Sequence, residues 1–352
     1  MRLLPLRSPR LKLILLSLMH LVTDGLCSYL VFAKLYPKNP KMAFLIFIGY
    51  NVLAFVTQSP VGIIIDKYNK PKLFLGISIC AMLLGYALSG IWRLSVTLIG
   101  VSNSFFHVAG GKYVTDKSGN DISHLGIFVS TGAIGLVLGQ RYTHLVLVPY
   151  VFLSLLIVCG LLIIFSEDSK AVPYPEEYED PERAKYALLA LIGVVAIRSF
   201  VGKVISPGFT PSLPVFLIIS IATALGKAAG GIFSRLVGIK WTTYVSMTVA
   251  AICLTLGAGN PFTFILGIFA FNFTMPITLY FANITQKGKE GFAFGTLAAI
   301  LAPGYFLAML FTYTPIMQVC TAVMCVISTL AIILISRRIK NAKVYTGTDN
   351  SA

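Results

Sequence analysis

Charge is what this sequence has least of. Only 12% of its 352 residues are charged, against about 25% in a soluble domain. Acids are scarcer still, 13 against 28 lysines and arginines. That shortage excludes an ordinary soluble globule. The longest hydrophilic stretch is "SEDSKAVPYPEEYEDPERAK", Ser166–Lys185, which is too short for a separate soluble domain. The six cysteines (27, 80, 159, 253, 320 and 325) all lie inside apolar runs, and no CxxC occurs. A disulfide framework and a zinc ribbon are thereby disfavoured. No nucleophile–base pair stands out, so an enzyme is not expected.

What is there is hydrocarbon: 57% of residues are hydrophobic. They fall into twelve runs near 11–33, 42–64, 73–92, 95–114, 123–141, 144–166, 185–205, 212–234, 241–259, 262–283, 292–313 and 316–336. Each approaches the roughly 20 residues a helix needs to cross a bilayer. The reading is an all-α membrane protein with twelve transmembrane helices. The first run is too long for a signal-peptide core and lacks a small-residue cleavage site, so it reads as a retained helix. With both termini cytoplasmic, 20 of the 28 basic residues fall on that side, and Arg198 and Lys227 fall within spans. The net charge of +15 therefore reads as positive-inside topology, not as a nucleic-acid footprint.

The Ser166–Lys185 stretch divides the chain into a six-helix half (1–166), a central cytoplasmic loop (167–184), a second half (185–336) and a tail (337–352). A trace of repetition supports the division: "GIIIDKYNKPK" (Gly62–Lys72) follows the second run and "GGIFSRLVGIK" (Gly230–Lys240) follows the eighth. The first copy resembles the loop motif G-x-x-x-D-[RK]-x-G-[RK]-[RK] of major facilitator transporters. In that resemblance Gly62, Asp66, Lys67 and Lys70 form a gate between the halves. Gly62 would allow close helix packing, and Asp66 would pair with a cation or cap a neighbouring helix. Asn69 replaces a glycine and tolerates the left-handed backbone; the second copy has Ser234 for the acid. "GAIGLVLGQ" (Gly132–Gln140) resembles the antiporter motif of the same superfamily, with Gln140 in place of proline. "HLVTDG" in the first run, "SNSFFHVAGGK" (Ser102–Lys112) in the fourth and "IRSF" (Ile197–Phe200) in the seventh resemble the fosmidomycin-resistance-like transporters. Where that family has proline and an acid after the histidine, Val108 and Ala109 stand here.

These resemblances imply two pseudo-symmetric six-helix halves and a secondary active transporter working by alternating access. They imply proton-coupled export of a small anionic or amphipathic solute by a monomer in a bacterial or archaeal cytoplasmic membrane. No cofactor and no resident metal is expected. The alternatives are a facilitative or metal-ion transporter of the same fold, or a non-transporting receptor or assembly protein.

The candidate site rests on polar residues deep in apolar runs, where an ionised side chain costs about 2.5–3.5 kcal/mol. Such residues usually line an interior or a water-filled path. His20 and Asp24 share a helix face, as do Asn103 and His107. At about 1.5 Å rise per residue, His20 matches His107 in depth and Asp24 matches Asn103. The cluster reads as a proton relay, as a structural polar network, or, with Cys27 added, as a transition-metal site. Arg198 reaches a similar depth and could pair with Asp24 or hold an anion through its planar fork. Lys227 could join that pocket or snorkel to the cytoplasm. "NFTMP" (Asn272–Pro276) offers a hinge in the tenth run.

Overall fold

The computed structural model describes residues 8–167, 170–205, 207, 209–311 and 315–341. Among them the chain forms twelve helical rods. These are α1 (Pro9–Lys38), α2 (Pro40–Tyr68), α3 (Pro71–Ala87), α4 (Trp92–Ser118), α5 (Ile122–Arg141) and α6 (Leu147–Ile164) in the first half. The second half holds α7 (Pro181–Val204), α8 (Leu213–Val237), α9 (Ile239–Thr255), α10 (Pro261–Thr285), α11 (Glu290–Ala308) and α12 (Pro315–Ser336). Nine of them are long and apolar enough to cross a membrane on their own. α4 falls outside that set because Asn103, His107, Lys112 and Asp116 interrupt its apolar surface. All twelve apolar runs of the sequence correspond to these rods.

Prolines set the irregularities. A proline has no N–H to give the carbonyl four residues back, and its ring crowds that carbonyl. Pro37 follows Ala33 by four residues, and the turns around it widen to π-helix over Leu30–Leu35. Pro60 stands in the same relation to Val56, at the end of a second π-helical stretch, Val52–Val56. Pro276 and Pro303 do the same in the second half, where α10 breaks at Asn272–Phe273 and α11 at Ile300. Widened turns of this kind recur at functional sites.

α1 packs along α5 and α6, α3 along α4, and α9 along α12. The halves meet where α2 lies against α11 and α5 against α8. The central segment carries a short strand, β1 (Glu176–Tyr178), antiparallel to β2 (Ile339–Asn341) beyond α12. Glu179 reinforces that ladder through Lys340 at 2.9 Å and Arg338 at 3.7 Å. Broad exposed apolar faces on α8, α9 and α12, such as Leu225, Val245 and Leu330, are what lipid contact requires. The molecule is a multi-pass integral membrane protein.

Candidate functional site

Glycines bring the site together. Gly132, Gly135 and Gly139 of α5 sit against α1: a Cβ at Gly132 would collide with Asp24 and His20, at Gly135 with the Leu21 backbone, and at Gly139 with the Gly25 backbone. Small residues are what allow two membrane helices to approach this closely. α4 closes the other side. His20 Nε2 lies 2.9 Å from His107 Nε2, and Asn103 Nδ2 donates to Asp24 Oδ1 at 2.9 Å. The Asp24 carboxylate also lies 3.4 Å from His20 Nε2 and 3.6 Å from His107 Nε2.

Hydrogen counting restricts the protonation of the two histidines. His20 Nδ1 faces the Phe128 carbonyl at 2.7 Å, and His107 Nδ1 faces the Asn103 carbonyl at 2.9 Å. A carbonyl only accepts, so each Nδ1 carries a hydrogen. Two neutral rings would then oppose bare Nε2 lone pairs across 2.9 Å. One additional proton between them removes the clash, and Asp24 balances its charge. Phe106 and Phe128 flank His20, with ring centroids 5.7 and 4.9 Å away, and keep water from that side. The ligand atoms of His20, Asp24 and His107 lie within 4.8 Å of one another, so the same donors are spaced to share a transition ion.

Above the cluster is a cavity of about 400 Å³ lined by Asp24, Ser28, Phe32, Phe47, Tyr50, Asn51, Gln140, Ser199 and Tyr305 among others. Asp24 is the charged residue on its wall. Arg198 is buried and donates to Thr278 Oγ1 at 3.3 Å. It makes no ion pair with Asp24, because its guanidinium turns toward α10. Lys227 is half-buried, within electrostatic reach of Arg198 and Asp24. Among the described residues neither cation has a carboxylate within ion-pair distance.

On the face that carries the central segment, the two halves are sealed. Asp66 of α2 accepts from the backbone N–H groups of Gly291 and Phe292, at 2.9 and 2.7 Å, and so caps α11. A carboxylate there also meets the positive end of the helix dipole. Gly62 lies directly on the Gly291 backbone. Lys112 of α4 is buried among Glu290 (3.0 Å), Asp66 (3.3 Å) and Asp116 (3.4 Å). Across the second seam, Gly231 of α8 abuts the Ile122 carbonyl of α5, and Arg235 pairs with Asp121 at 2.8 Å.

No protein-family model and no curated protein matches the sequence. Solved structures do match. The E. coli fucose:proton symporter FucP superposes with a TM-score of 0.67 at 12% identity, covering 94% of this chain and 99% of that one. The human organic anion transporter MFSD10 gives 0.65 at 15% identity, over 94% and 100%. A bacterial homologue of the iron transporter ferroportin, in its outward-facing state, gives 0.63 at 15%, over 94% and 100%. The fold is the major facilitator fold. These neighbours are transporters, not enzymes.

Within the facilitator fold, the structure redistributes some of the residues that the sequence singled out. His20, Asp24, Asn103 and His107 form one cluster, with Arg198 and Lys227 on the facing half. Of the expected gate, Gly62 and Asp66 lie in the α2–α11 seam, whereas Lys67 and Lys70 are exposed and make no ion pair among the described residues. The cation at that seam is Lys112, held by partners Asp116 and Glu290. Asp116 stands at i+4 on the same helix, within reach of spacing, but spacing does not reveal Glu290, 178 residues away; a lysine late in an apolar run was the available signal. Around this cluster Tyr50 lines the cavity, Phe106 is core, and Phe105 stacks on Phe74 with ring centroids 5.6 Å apart.

Proposed function

We propose that this chain is a secondary transporter that exports a small anionic or amphipathic solute in exchange for protons. Both termini would be cytoplasmic, so that the sealed seams face the cytoplasm and the cavity belongs to an outward-facing or occluded state. The His20–His107 contact carries the reading: hydrogen counting leaves one mobile proton beside a cavity whose wall is Asp24. A solute that donates to Asp24 would take away the carboxylate that balances this proton, and the proton would leave. Arg198 and Lys227, interior cations with no carboxylate at ion-pair distance among the described residues, favour an anionic group on the solute, since an uncompensated buried charge is costly. Phe32, Phe47, Tyr50 and Tyr305 offer an apolar wall for its body.

The two seams give alternation a physical basis. Opening to the cytoplasm requires Asp66 to leave the α11 N-terminus, Lys112 to lose partners and Arg235 to part from Asp121. The π-helical stretches in α1 and α2, and the breaks in α10 and α11, are places where helices can bend. Residues 1–166 and 185–336 would move as the two halves, joined by 167–184. The motifs around His20, His107 and Arg198 support a place near the fosmidomycin-resistance-like transporters, in a bacterial or archaeal membrane, as a monomer. The test is a thermal-shift screen for solutes, followed by flux into liposomes with and without a pH gradient. Flux indifferent to the gradient would refute the coupling. A chain that binds no solute and carries none would refute the transporter.

A further inference from the structure

The two copies of the repeated turn are built differently: the second has a serine where the first has its carboxylate. In the first copy Asp66 is engaged by the α11 backbone, and Lys72 Nζ donates to the Ser166 carbonyl at 2.6 Å. A shift of 168 residues carries these positions to Ser234 and Lys240. Ser234 is buried, with an Oγ that has no hydrogen-bond partner. Lys240 is exposed and has neither an ion pair nor a hydrogen bond among the described residues.

Both residues line a cleft of about 830 Å³ between the α4–α5 turn, the central segment and the α8–α9 turn. α9 begins in this wall after Gly238, whose φ of 90° suits glycine and which supplies no capping side chain. First-turn N–H groups of a 17-residue helix therefore face the cleft uncapped. Arg235 and Trp241 complete that side. Of the two acids on the wall, Asp121 is matched by Arg235 at 2.8 Å, whereas Glu176 pairs only its backbone in the β1–β2 ladder and has no ion pair among the described residues, so Lys240 is the cation on this wall left to offset it and to meet an anion. Leu236, Val237, Trp241 and Tyr244 are exposed beside the opening. A phosphate ester satisfies the donors, and acyl chains suit the apolar rim, where an interfacial tryptophan is also at home.

We propose that this cleft binds the headgroup of an anionic phospholipid. The phosphate accepts from Ser234 Oγ, the start of α9 and Lys240, while the acyl chains lie along α8 and α9. The site is separate from the transport cavity and does not depend on the solute. The lipid would tie the central segment to the second half.

Delipidated full-length protein is incubated with phosphatidylglycerol or phosphatidylcholine, and retained lipid is counted by native mass spectrometry. Inorganic phosphate is added in a parallel thermal-shift titration. Wild type should retain phosphatidylglycerol preferentially. Lys240→Gln should lower retention about five-fold, the scale of one basic residue near an anionic surface. Ser234→Ala should lower it as well, and Lys185→Gln, an exposed lysine elsewhere, should not. Equal retention of the two lipids, or loss by Lys185→Gln as large as by Lys240→Gln, would overturn the proposal. Stabilisation by inorganic phosphate that Lys240→Gln abolishes, with no lipid preference, would assign the cleft to a soluble phosphate and overturn the lipid.

Discussion

The seam between α2 and α11 is tight enough that one methyl group should move the conformational equilibrium. A Cβ built on Gly62 would collide with the Gly291 carbonyl oxygen and fall 2.5 Å from its carbon, where ordinary contact begins near 3.4 Å, so Gly62→Ala demands a separation of about 0.9 Å or more. The opposing atoms are backbone and cannot rotate away. Overpacking of this kind costs about 1–3 kcal/mol. The cost applies only while the seam is closed, so the open state gains roughly 5- to 150-fold in relative population. Separation also stretches the two hydrogen bonds from Gly291 and Phe292 to Asp66, which oppose the shift. Spin labels at the exposed positions Tyr68 and Lys289, in a background with the native cysteines replaced, report the distance between the two helix ends. Gly62→Ala should populate a longer distance than the parent. Gly193→Ala is the control, because a Cβ there meets nothing within 4 Å. An unchanged distance distribution in Gly62→Ala would refute the idea that this seam is one of two alternating states.

Arg198→Met should weaken solute binding about 10- to 150-fold, the scale of a charge-assisted hydrogen bond. It should also leave the fold as stable or more so, since it removes a buried cation without an acid. Loss of stability with solute affinity unchanged would make Arg198 structural. Acid should loosen the α5–α8 seam. Burial alone would raise the Asp121 carboxyl, but its hydrogen bonds from Ser123 and the nearby Arg235 outweigh that and hold it below the usual range. A depressed carboxyl contributes stability above its unfolded value, near 4, that disappears as pH falls through the folded one. Wild type should therefore lose more thermal stability than Asp121→Asn as the pH drops below about 4. Equal losses would remove Asp121 from the seam.

The helices were legible because a membrane imposes a length, and each apolar run near 20 residues has a counterpart among the rods. The kinks were legible only in part: a proline marks where a helix is irregular, but not whether it breaks, as α10 does before Pro276, or widens to π-helix, as α1 and α2 do near Pro37 and Pro60. The pairing of His20 with His107, and of Asp24 with Asn103, followed from rise per residue on antiparallel helices. Of the partners of Lys112, Asp116 stands at i+4 and was within reach of the same reasoning, but Glu290 comes from the other half and no local spacing links it. Arg198 illustrates the remaining gap. Its depth matched Asp24, yet depth does not fix direction around a helix, and the guanidinium turned to Thr278.

The central claim is that His20 and His107 share one proton, which the solute displaces. Solute added to detergent-solubilised protein in weakly buffered solution should release about one proton per chain, the count set by hydrogen-bond inventory. His107→Asn should still bind the solute and release none. Binding without release in the wild type, or equal release from His107→Asn, would contradict the account.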